Sequence, residues 1–282
     1  MLTRRAVVIG ASATVGLGGA ALAGLAGLGS ARQQRLLHDL GLAHSPDRSV
    51  RDSHTRVVSG TLASRHLAAP VGWSLSQPAT GTRGVVYCLH GYNDDHRFAF
   101  DQIHLPDVVA VAGAPLAIAA VDGGPDSYWH ARADGTDALS MLLDEFVPLI
   151  DARTGVTNRA LLGWSMGGYG ALLAAETAPQ RFRAVAAASP ALWTSAGQTA
   201  RGAFDSPADY ERNDVFRRVS ALRSLTVRVD CGSSDSFYSA DRKFAALLSP
   251  GPETSFGAGF HDAPYWRSVA PAQIGSLARV LA

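Results

Sequence analysis

The sequence predicts an α/β fold in which a mostly parallel sheet carries helices on both faces. Apolar runs of about six residues, typical of strands buried on both faces, alternate with segments of helical spacing. With 282 residues, 47% hydrophobic and 17% charged, the chain can bury the core of one large domain or of two small ones. A Gly-x-Ser-x-Gly motif between one such run and a helical segment is the third observation that favours this fold.

The N-terminal segment, residues 1–31, is predicted to be a secretory signal or a membrane anchor rather than part of the fold. Arg4 and Arg5 precede an uncharged run rich in Ala and Gly, residues 6–30, with small residues around Ala31. The arginine pair resembles a twin-arginine signal, although the usual Phe-Leu-Lys is missing. Because the run is long enough to span a bilayer, cleavage near Ala31 and retention as an anchor both stay open. Either alternative predicts an exported protein, secreted or associated with the cell envelope.

Residues 32–54 are predicted to form a polar linker or a short surface helix, and residues 55–282 the folded catalytic domain. Alternating hydrophobicity predicts that this domain opens with an antiparallel hairpin at residues 55–64 and 72–76. Apolar runs predict further strands at residues 84–89, 116–121, 159–162, 184–189, 225–231 and 254–259. Helices are predicted at residues 98–111, 138–150, 168–176, 240–248 and 270–281. Residues 190–223 are polar and irregular, and they are expected to form a cap over the site.

The motif Gly163-Trp164-Ser165-Met166-Gly167 predicts a nucleophile elbow, the sharp strand-to-helix turn of the α/β-hydrolases. A turn this tight strains the serine backbone, and the glycines on either side leave room for it. The Ser165 hydroxyl is therefore expected to project above the sheet. The Met166 N–H, at the helix N-terminus, is expected to point to where an oxyanion forms.

The residue order of this fold, Ser, then acid, then His, leaves one histidine as the base. The chain has nine histidines, and His261 is the only one that follows Ser165. Asp235, in the loop after the preceding strand, is the favoured acid, because it would hold the His261 tautomer and stabilise the imidazolium. Asp230 is the rival acid, but it falls inside the strand. Helix caps or solvated charges are expected at Asp205, Asp209, Asp214 and Asp241.

The second oxyanion donor is expected in the loop after the first long parallel strand. Gly91 permits a sharp turn there, and the Tyr92 N–H is the candidate donor. His90 is interpreted as a residue that packs this loop, because it precedes the serine. The candidates for an acyl pocket are aromatic residues that could equally belong to the core: Trp164, Tyr128, Trp129, Trp193 and Trp266.

Several motifs together resemble the putative esterase family, which contains esterase D and the antigen 85 mycolyltransferases of mycobacteria. They are the Ser165–Gly168 elbow, His90-Gly91, Asp122–Trp129, Gly232–Tyr238 and His261–Arg267. The resemblance runs from about Gly84 to the C-terminus and implies the α/β-hydrolase fold with an esterase activity. The mycolyltransferases use Glu where this chain has Asp235, and they carry Asp-Gly where it has His90-Gly91. The general esterases therefore match better.

The predicted function is hydrolysis of a small-molecule or lipid carboxylic ester through an acyl-enzyme on Ser165. Two alternatives stay open: transfer of an acyl chain to a sugar hydroxyl, and a non-catalytic cell-envelope binding protein on a hydrolase scaffold. No metal or cofactor is implied. The net charge of +1 and the lack of basic runs predict no nucleic-acid partner. The oligomeric state is left undetermined.

Residue usage gives two further expectations. Cys88 and Cys231 lie near the ends of strands that are not neighbours in this fold, so two buried thiols are expected rather than a disulfide. Lys243 is the only lysine among 25 Lys and Arg residues, and Ala, Gly and Pro are abundant. This usage is typical of a GC-rich genome such as that of an actinobacterium.

Overall fold

The computed structural model describes residues 30–47 and 56–282 of the chain. The chain divides into two compact units, Met1–Ala43 and His44–Ala282. In the first unit, the described part contains helix α1, Ser30–Asp39, so the predicted linker is helical over part of its length. The predicted signal or anchor lies outside the described residues except at its last two positions. No helix in the described ranges is long and apolar enough to cross a bilayer.

The second unit is built on one eight-stranded sheet. Its strands are β1 (Val57–Leu62), β2 (Val71–Ser76), β3 (Gly84–Leu89), β4 (Leu116–Val121), β5 (Arg159–Trp164), β6 (Ala184–Ala188), β7 (Thr226–Asp230) and β8 (Glu253–Ser255). Their order across the sheet is β1-β2-β4-β3-β5-β6-β7-β8. The β1–β2 and β2–β4 pairs are antiparallel, and every other pair is parallel. This arrangement confirms the predicted fold class and the leading hairpin.

The helices of the second unit alternate with the parallel strands along the chain. They are α2 (Leu105–Val111), α3 (Ala138–Ser140), α4 (Val147–Thr154), α5 (Met166–Thr177), α6 (Pro207–Arg212), α7 (Tyr238–Leu247) and α8 (Ala263–Leu281). A π-helical stretch, Met141–Phe146, joins α3 to α4, and another, Phe98–Gln102, precedes α2. Helical crossovers of this kind are the usual connection between parallel strands.

Buried apolar side chains form a separate core on each face of the sheet. Successive side chains of strand β3 point to opposite faces of the sheet, so Tyr87 and Leu89 belong to one core and Val86 and Cys88 to the other. All four side chains are buried, so the strand is apolar throughout rather than alternating. Side chains of α5 pack in the first core and side chains of α8 in the second, which places these two helices on opposite faces.

Cys88 and Cys231 are free and buried, which confirms the expected pair of thiols. Strand β3 carries the first, strand β7 precedes the second, and β5 and β6 lie between these strands. Burial raises the pKa of both thiols well above their usual range. Both sulfur atoms therefore remain protonated, and they act as small apolar groups in the core.

The last helix begins earlier than the sequence predicts. It starts at Ala263 rather than at residue 270, because the Asp262 carboxylate caps it by accepting the Tyr265 N–H at 3.0 Å. Pro271 lies inside the helix, where burial of the neighbouring apolar side chains offsets the lost backbone hydrogen bond.

The predicted irregular cap contains several short helical pieces. Between β6 and β7 lie α6 and 3-10 turns at Ala196–Gln198, Val215–Arg217 and Val219–Ser224. Ser206 and Asp214 each cap one of these pieces by accepting a backbone N–H. Pieces this short contain too few residues for a hydrophobic period to be recognised. The strand predicted at residues 254–259 shortens to the three residues of β8.

Two aspartates expected to be caps or solvated charges are buried instead. Asp209 is 2% exposed, and its carboxylate accepts hydrogen bonds from the Asp205 N–H and from Arg212. Asp241, in the first turn of α7, is fully buried, and burial raises its pKa well above the usual range beside Cys231. An aspartate in a first helical turn normally faces water, so neither position could be recognised as buried from the sequence.

Candidate active site

Ser165 occupies the sharp turn between β5 and α5. Its φ of 54° and ψ of −120° are strained for a residue with a Cβ atom. A Cβ on Gly163 would collide with the Gly167 carbonyl, and one on Gly167 would collide with the Leu89 carbonyl. Only glycine fits at these two positions, which is the geometric reason for the motif. Ser165 is partly exposed, whereas Trp164 and Met166 on either side are buried.

Ser165, His261 and Asp235 form a continuous hydrogen-bonded chain. The Ser165 Oγ lies 2.8 Å from His261 Nε2, and His261 Nδ1 lies 2.9 Å from Asp235 Oδ2. The His261 side chain is 28% exposed, and the Asp235 side chain is fully buried. Burial by itself raises the pKa of Asp235, but the His261 charge and hydrogen bond outweigh it and hold that pKa below its usual value. The carboxylate therefore stays ionised beside the imidazole.

The backbone around Asp235 holds its carboxylate in place after β7. The Phe237 N–H donates to Asp235 Oδ1 at 2.8 Å, which leaves Oδ2 for the histidine. Ser189, which follows β6, adds a side-chain hydrogen bond to the same carboxylate. The Ser189 Oγ in turn accepts the Trp266 indole N–H at 3.1 Å. Ser189 has a φ of 47° and is fully buried, and no sequence motif singled it out.

The loop that carries His261 is fixed from two sides. Asp262 caps α8, and its other oxygen accepts the Ser45 N–H at 3.1 Å. The Ser45 Oγ accepts the Phe260 N–H at 3.0 Å, and Asp47 pairs with Arg267 of α8 at 2.9 Å. These contacts lie within the second unit, so residues 44–47 belong to the fold although the sequence assigns them to the linker.

The rival acid Asp230 is engaged elsewhere. Its Oδ2 accepts hydrogen bonds from Arg228 Nε at 2.9 Å and from Gln273 Nε2 at 3.0 Å. Burial raises the pKa of Asp230 to about 6, although Arg228 opposes this shift. Asp230 therefore belongs to a buried polar group between β7 and α8, whereas Asp235 is the carboxylate that contacts His261.

The two predicted oxyanion donors, the Met166 and Tyr92 N–H groups, lie in the two segments next to Ser165. Met166 is the first residue of α5, where backbone N–H groups have no acceptor within the helix. Gly91, just before Tyr92, lies so close that a Cβ there would be 3.7 Å from the Ser165 Cβ. Within residues 56–282, neither the Met166 nor the Tyr92 N–H has a backbone acceptor. The Tyr92 side chain is 53% exposed.

His90 packs the loop that carries Gly91 and Tyr92. Its Nδ1 bonds the Gly91 carbonyl at 2.8 Å, and its Nε2 accepts the Gly123 N–H at 2.9 Å. These partners require the proton on Nδ1. Burial lowers the pKa of His90, in keeping with a neutral ring that is 2% exposed. His90 is thus a packing residue, as the sequence indicated, and Trp129 supports it by donating to the His90 carbonyl at 3.3 Å.

The five aromatic candidates for an acyl pocket occupy different positions. Trp164 and Trp129 have no exposed surface and belong to the two cores, which argues against a pocket role for either. Trp266 is 7% exposed, and its ring stands edge-on to His261 at 5.2 Å. Tyr128, also 7% exposed, packs against Trp193 at 5.6 Å. Trp193 alone of the five is partly exposed.

Two cavities in the second unit differ in their lining. One of about 470 Å³ is lined by Leu192, Trp193, Thr194, Gln198, Ala200, Ser236, Phe237, Ser239, Ala240 and Lys243. The other, of about 640 Å³, lies between residues 67–71 and the loops at residues 122–136. The Phe237 ring lies 5.3 Å from the His261 ring, so the first cavity adjoins the hydrogen-bonded chain. Sequence reasoning singled out neither Phe237 nor Lys243 as a lining residue.

A serine on a nucleophile elbow, joined through a histidine to a buried aspartate at the carboxyl ends of parallel strands, defines a serine hydrolase of the α/β-hydrolase fold. Residues 68–268 match the sequence profile of the family described as "Putative esterase", and the chain belongs to this family. The chain is therefore a carboxylic ester hydrolase. No curated protein sequence matches it.

Solved structures similar to this chain have the same fold. A ferulic acid esterase superposes with a TM-score of 0.71 at 23% identity, over 80% of this chain and 98% of that one. An S-formylglutathione hydrolase from Agrobacterium tumefaciens gives 0.69 at 16% identity, over 84% of this chain and 100% of that one. Mycobacterium tuberculosis MPT51 gives 0.64 at 18% identity, over 80% and 99%. At these identities the likeness concerns the fold.

Proposed function

We propose that this esterase hydrolyses its substrate through a covalent intermediate on Ser165. Ser165 is the nucleophile, His261 is the general base and Asp235 orients the histidine. The observation that carries the proposal is the hydrogen-bonded chain of 2.8 Å and 2.9 Å from the Ser165 hydroxyl through His261 to the buried carboxylate. Esterase family membership supports it independently.

The first half-reaction acylates Ser165. As Oγ attacks the ester carbonyl, His261 Nε2 takes the hydroxyl proton, and Asp235 keeps the other ring proton on Nδ1. The carbonyl oxygen becomes an oxyanion, which accepts hydrogen bonds from the Met166 and Tyr92 N–H groups. The carbon–oxygen bond to the alcohol then breaks, and His261 returns its proton to the leaving alkoxide. The alcohol departs and the acyl group stays on Ser165.

The second half-reaction releases the acid. His261 removes a proton from a water molecule, the resulting hydroxide attacks the acyl carbonyl, and the same two N–H groups stabilise the oxyanion. The bond to Oγ breaks, and the serine recovers its proton from His261. A sugar hydroxyl in place of water would give acyl transfer by the same steps. Water is the proposed acceptor because the triad acid is Asp, as in the general esterases.

The test combines one substitution with a substrate panel. Ser165→Ala is expected to lower kcat by a factor of about 10⁴ to 10⁶ on para-nitrophenyl esters from acetyl to palmitoyl, with an unchanged circular dichroism spectrum. Adding trehalose and analysing the products separates hydrolysis from transfer to a sugar. A Ser165→Ala variant that retains activity within about tenfold of the wild type would remove Ser165 from the mechanism.

We further propose that the protein is exported by the twin-arginine route, as a secreted or envelope-associated enzyme. The Arg4-Arg5 pair and the uncharged run after it support this proposal. Two unpaired thiols in the fold agree with it, since transport of a folded chain needs no oxidative step outside the cell. Replacing both arginines by lysine is expected to keep the precursor inside the cell. Export at the normal rate would instead indicate a general secretory signal or an anchor.

A further inference from the structure

The smaller cavity begins where the reacting ester would bind. Ala191 donates its N–H to the Ser165 carbonyl at 2.9 Å, and the next residue, Leu192, lines the cavity. On the other side, the Phe237 ring lies between His261 and Trp193, at 5.3 Å and 5.5 Å from their rings. A substrate whose carbonyl lies at Ser165 can therefore extend along Trp193 and Phe237 into about 470 Å³ of space.

The lining of this cavity carries one charge, and it is positive. Lys243 is its only ionisable lining residue, and no aspartate or glutamate lines it. Ser239 and Lys243 stand one turn apart on the same face of α7. Among residues 56–282, no carboxylate lies within ion-pair distance of Lys243. The ammonium group is thus available to a ligand.

Gln198 adds neutral donors on the same cavity. Its Oε1 accepts the Thr194 N–H at 3.2 Å and the Thr194 hydroxyl at 2.8 Å. These two bonds fix the orientation of the amide and occupy its oxygen, so the Gln198 NH₂ group is directed to other acceptors. The lining therefore offers a cation, amide N–H groups and the hydroxyls of Ser236 and Ser239 beside an aromatic wall.

The larger cavity has the opposite character. Its lining includes four aspartates, Asp122, Asp126, Asp134 and Asp205, and one arginine, Arg132. Arg132 is paired with Asp205 at 2.9 Å, so the carboxylates outnumber the cation there. An anionic ligand would be repelled from this side and attracted to the side of Lys243, because each cavity concentrates the field of the charges that line it.

We propose that the cavity of Trp193, Phe237 and Lys243 binds the part of the substrate remote from the scissile bond, and that this part carries an anionic group. A carboxylate, sulfate or phosphate pairs with the Lys243 ammonium and accepts from Gln198, while the apolar segment before it lies on the two aromatic rings. The enzyme is then selective for acidic esters. The inference rests on the proposed function, since it places the reacting carbonyl at Ser165.

Matched substrates test the charge on either side of the ester bond. For the acyl side, para-nitrophenyl hemiadipate is compared with para-nitrophenyl hexanoate, which has the same chain length without the carboxylate. For the alcohol side, para-carboxyphenyl acetate is compared with phenyl acetate. In at least one pair, the ratio of kcat/KM for the acidic over the neutral ester is expected to fall by about tenfold or more in Lys243→Met.

Two further variants separate the ammonium from charge in general. Lys243→Arg is expected to retain most of the preference, because it keeps a cation on the same helix face. Arg242→Met is the matched control, because it removes the neighbouring cation, which lies over the Tyr238 ring at 5.7 Å. The ratio of kcat/KM for the acidic over the neutral ester is expected to stay unchanged in this variant. Added NaCl is expected to lower the ratio in the wild type and to leave it constant in Lys243→Met.

Binding measurements keep this inference separate from the catalytic proposal. Calorimetric titration of Ser165→Ala with adipate and with para-hydroxybenzoate is expected to show binding that disappears in Ser165→Ala/Lys243→Met. If no ester is hydrolysed but this binding holds, the catalytic proposal fails and the anionic site stands. If Lys243→Met changes neither the kinetic ratio nor the binding, or if Arg242→Met changes them equally, the anionic site is overturned.

Discussion

Exchanging each of two buried aspartates for asparagine separates catalysis from stability. Asp235→Asn keeps the shape of the side chain, and its Oδ1 can still accept the Phe237 N–H. Its amide nitrogen, however, would then donate to His261 Nδ1. The ring proton must move to Nε2, which now faces Ser165 Oγ at 2.8 Å with a hydrogen instead of a lone pair. The base can no longer accept the serine proton.

The Asp235 substitution is expected to change kcat, whereas the Asp230 substitution is expected to change the free energy of unfolding. A wrong tautomer of the base lowers kcat by about 10⁴, because the acyl-forming step loses its proton acceptor. Asp230→Asn instead removes the negative charge that pairs with Arg228, which is 8% exposed. Breaking a buried pair costs about 3 to 5 kcal/mol. The loss is expected to be smaller here, because the Glu253 carboxylate at 3.4 Å still pairs with Arg228.

Two measurements on each variant decide between these roles. We expect Asp235→Asn to lose kcat on para-nitrophenyl acetate while its urea midpoint shifts little. We expect Asp230→Asn to retain kcat within about threefold and to unfold at a lower urea concentration. A loss of activity in folded Asp230→Asn as large as that in Asp235→Asn would refute the assignment of the acid. An active Asp235→Asn enzyme would refute the tautomer argument itself.

Three further predictions concern the surroundings of the triad. Ser189→Ala removes a hydrogen bond to Asp235, so kcat is expected to fall about tenfold, measured on para-nitrophenyl acetate; full activity would make Ser189 a packing residue only. Burial raises the pKa of Glu176 to about 9, despite Arg218 at 3.8 Å, so folded Glu176 holds a proton that the unfolded chain has lost. The contribution of Glu176 to the free energy of unfolding is complete below about pH 4.5 and is lost as the pH rises towards 9. Glu176→Gln is therefore expected to have a higher Tm than the wild type at pH 8 and a similar Tm at pH 5. Parallel curves of Tm against pH for the two proteins would contradict this. Tyr92→Pro deletes the proposed oxyanion N–H and is expected to lower kcat about 10²-fold or more, whereas Tyr92→Ala keeps the N–H and should keep most of kcat; equal losses in the two would exclude that donor.

The sequence predicted the elements whose composition reflects burial on two faces. The runs at β3 and β4 are apolar throughout because each face of these strands meets its own core, and both strands match the predicted bounds. The elbow was recognisable because a strained serine with glycines two residues away leaves few alternatives. His261 was recognisable by elimination, since no other histidine follows Ser165.

Contacts between distant segments could not be predicted in the same way. The local sequence does not indicate that Ser189 links Trp266 to Asp235, or that Ser45 contacts the loop of His261. The buried positions of Trp164 and Trp129 follow from the side of the sheet that each ring meets, and aromatic character alone does not determine that side. Strained backbones such as Trp129, with a φ of 55°, are held by tertiary packing rather than by residue preference.

The position of the site follows from the strand order rather than from any single motif. Strand β4 lies on one side of β3 and strand β5 on the other, so the chain reverses its winding direction at this point. The loops after β3 and β5 therefore leave the sheet in opposite directions and open a crevice between their ends. Gly91-Tyr92 and Ser165-Met166 follow these two strand ends, and a Cβ on Gly91 would lie only 3.7 Å from the Ser165 Cβ, so two distant parts of the chain meet there. Because the proposed oxyanion donors are backbone groups, many side chains are expected to be tolerated at Tyr92 and Met166, provided that the glycines that let the two segments approach are kept.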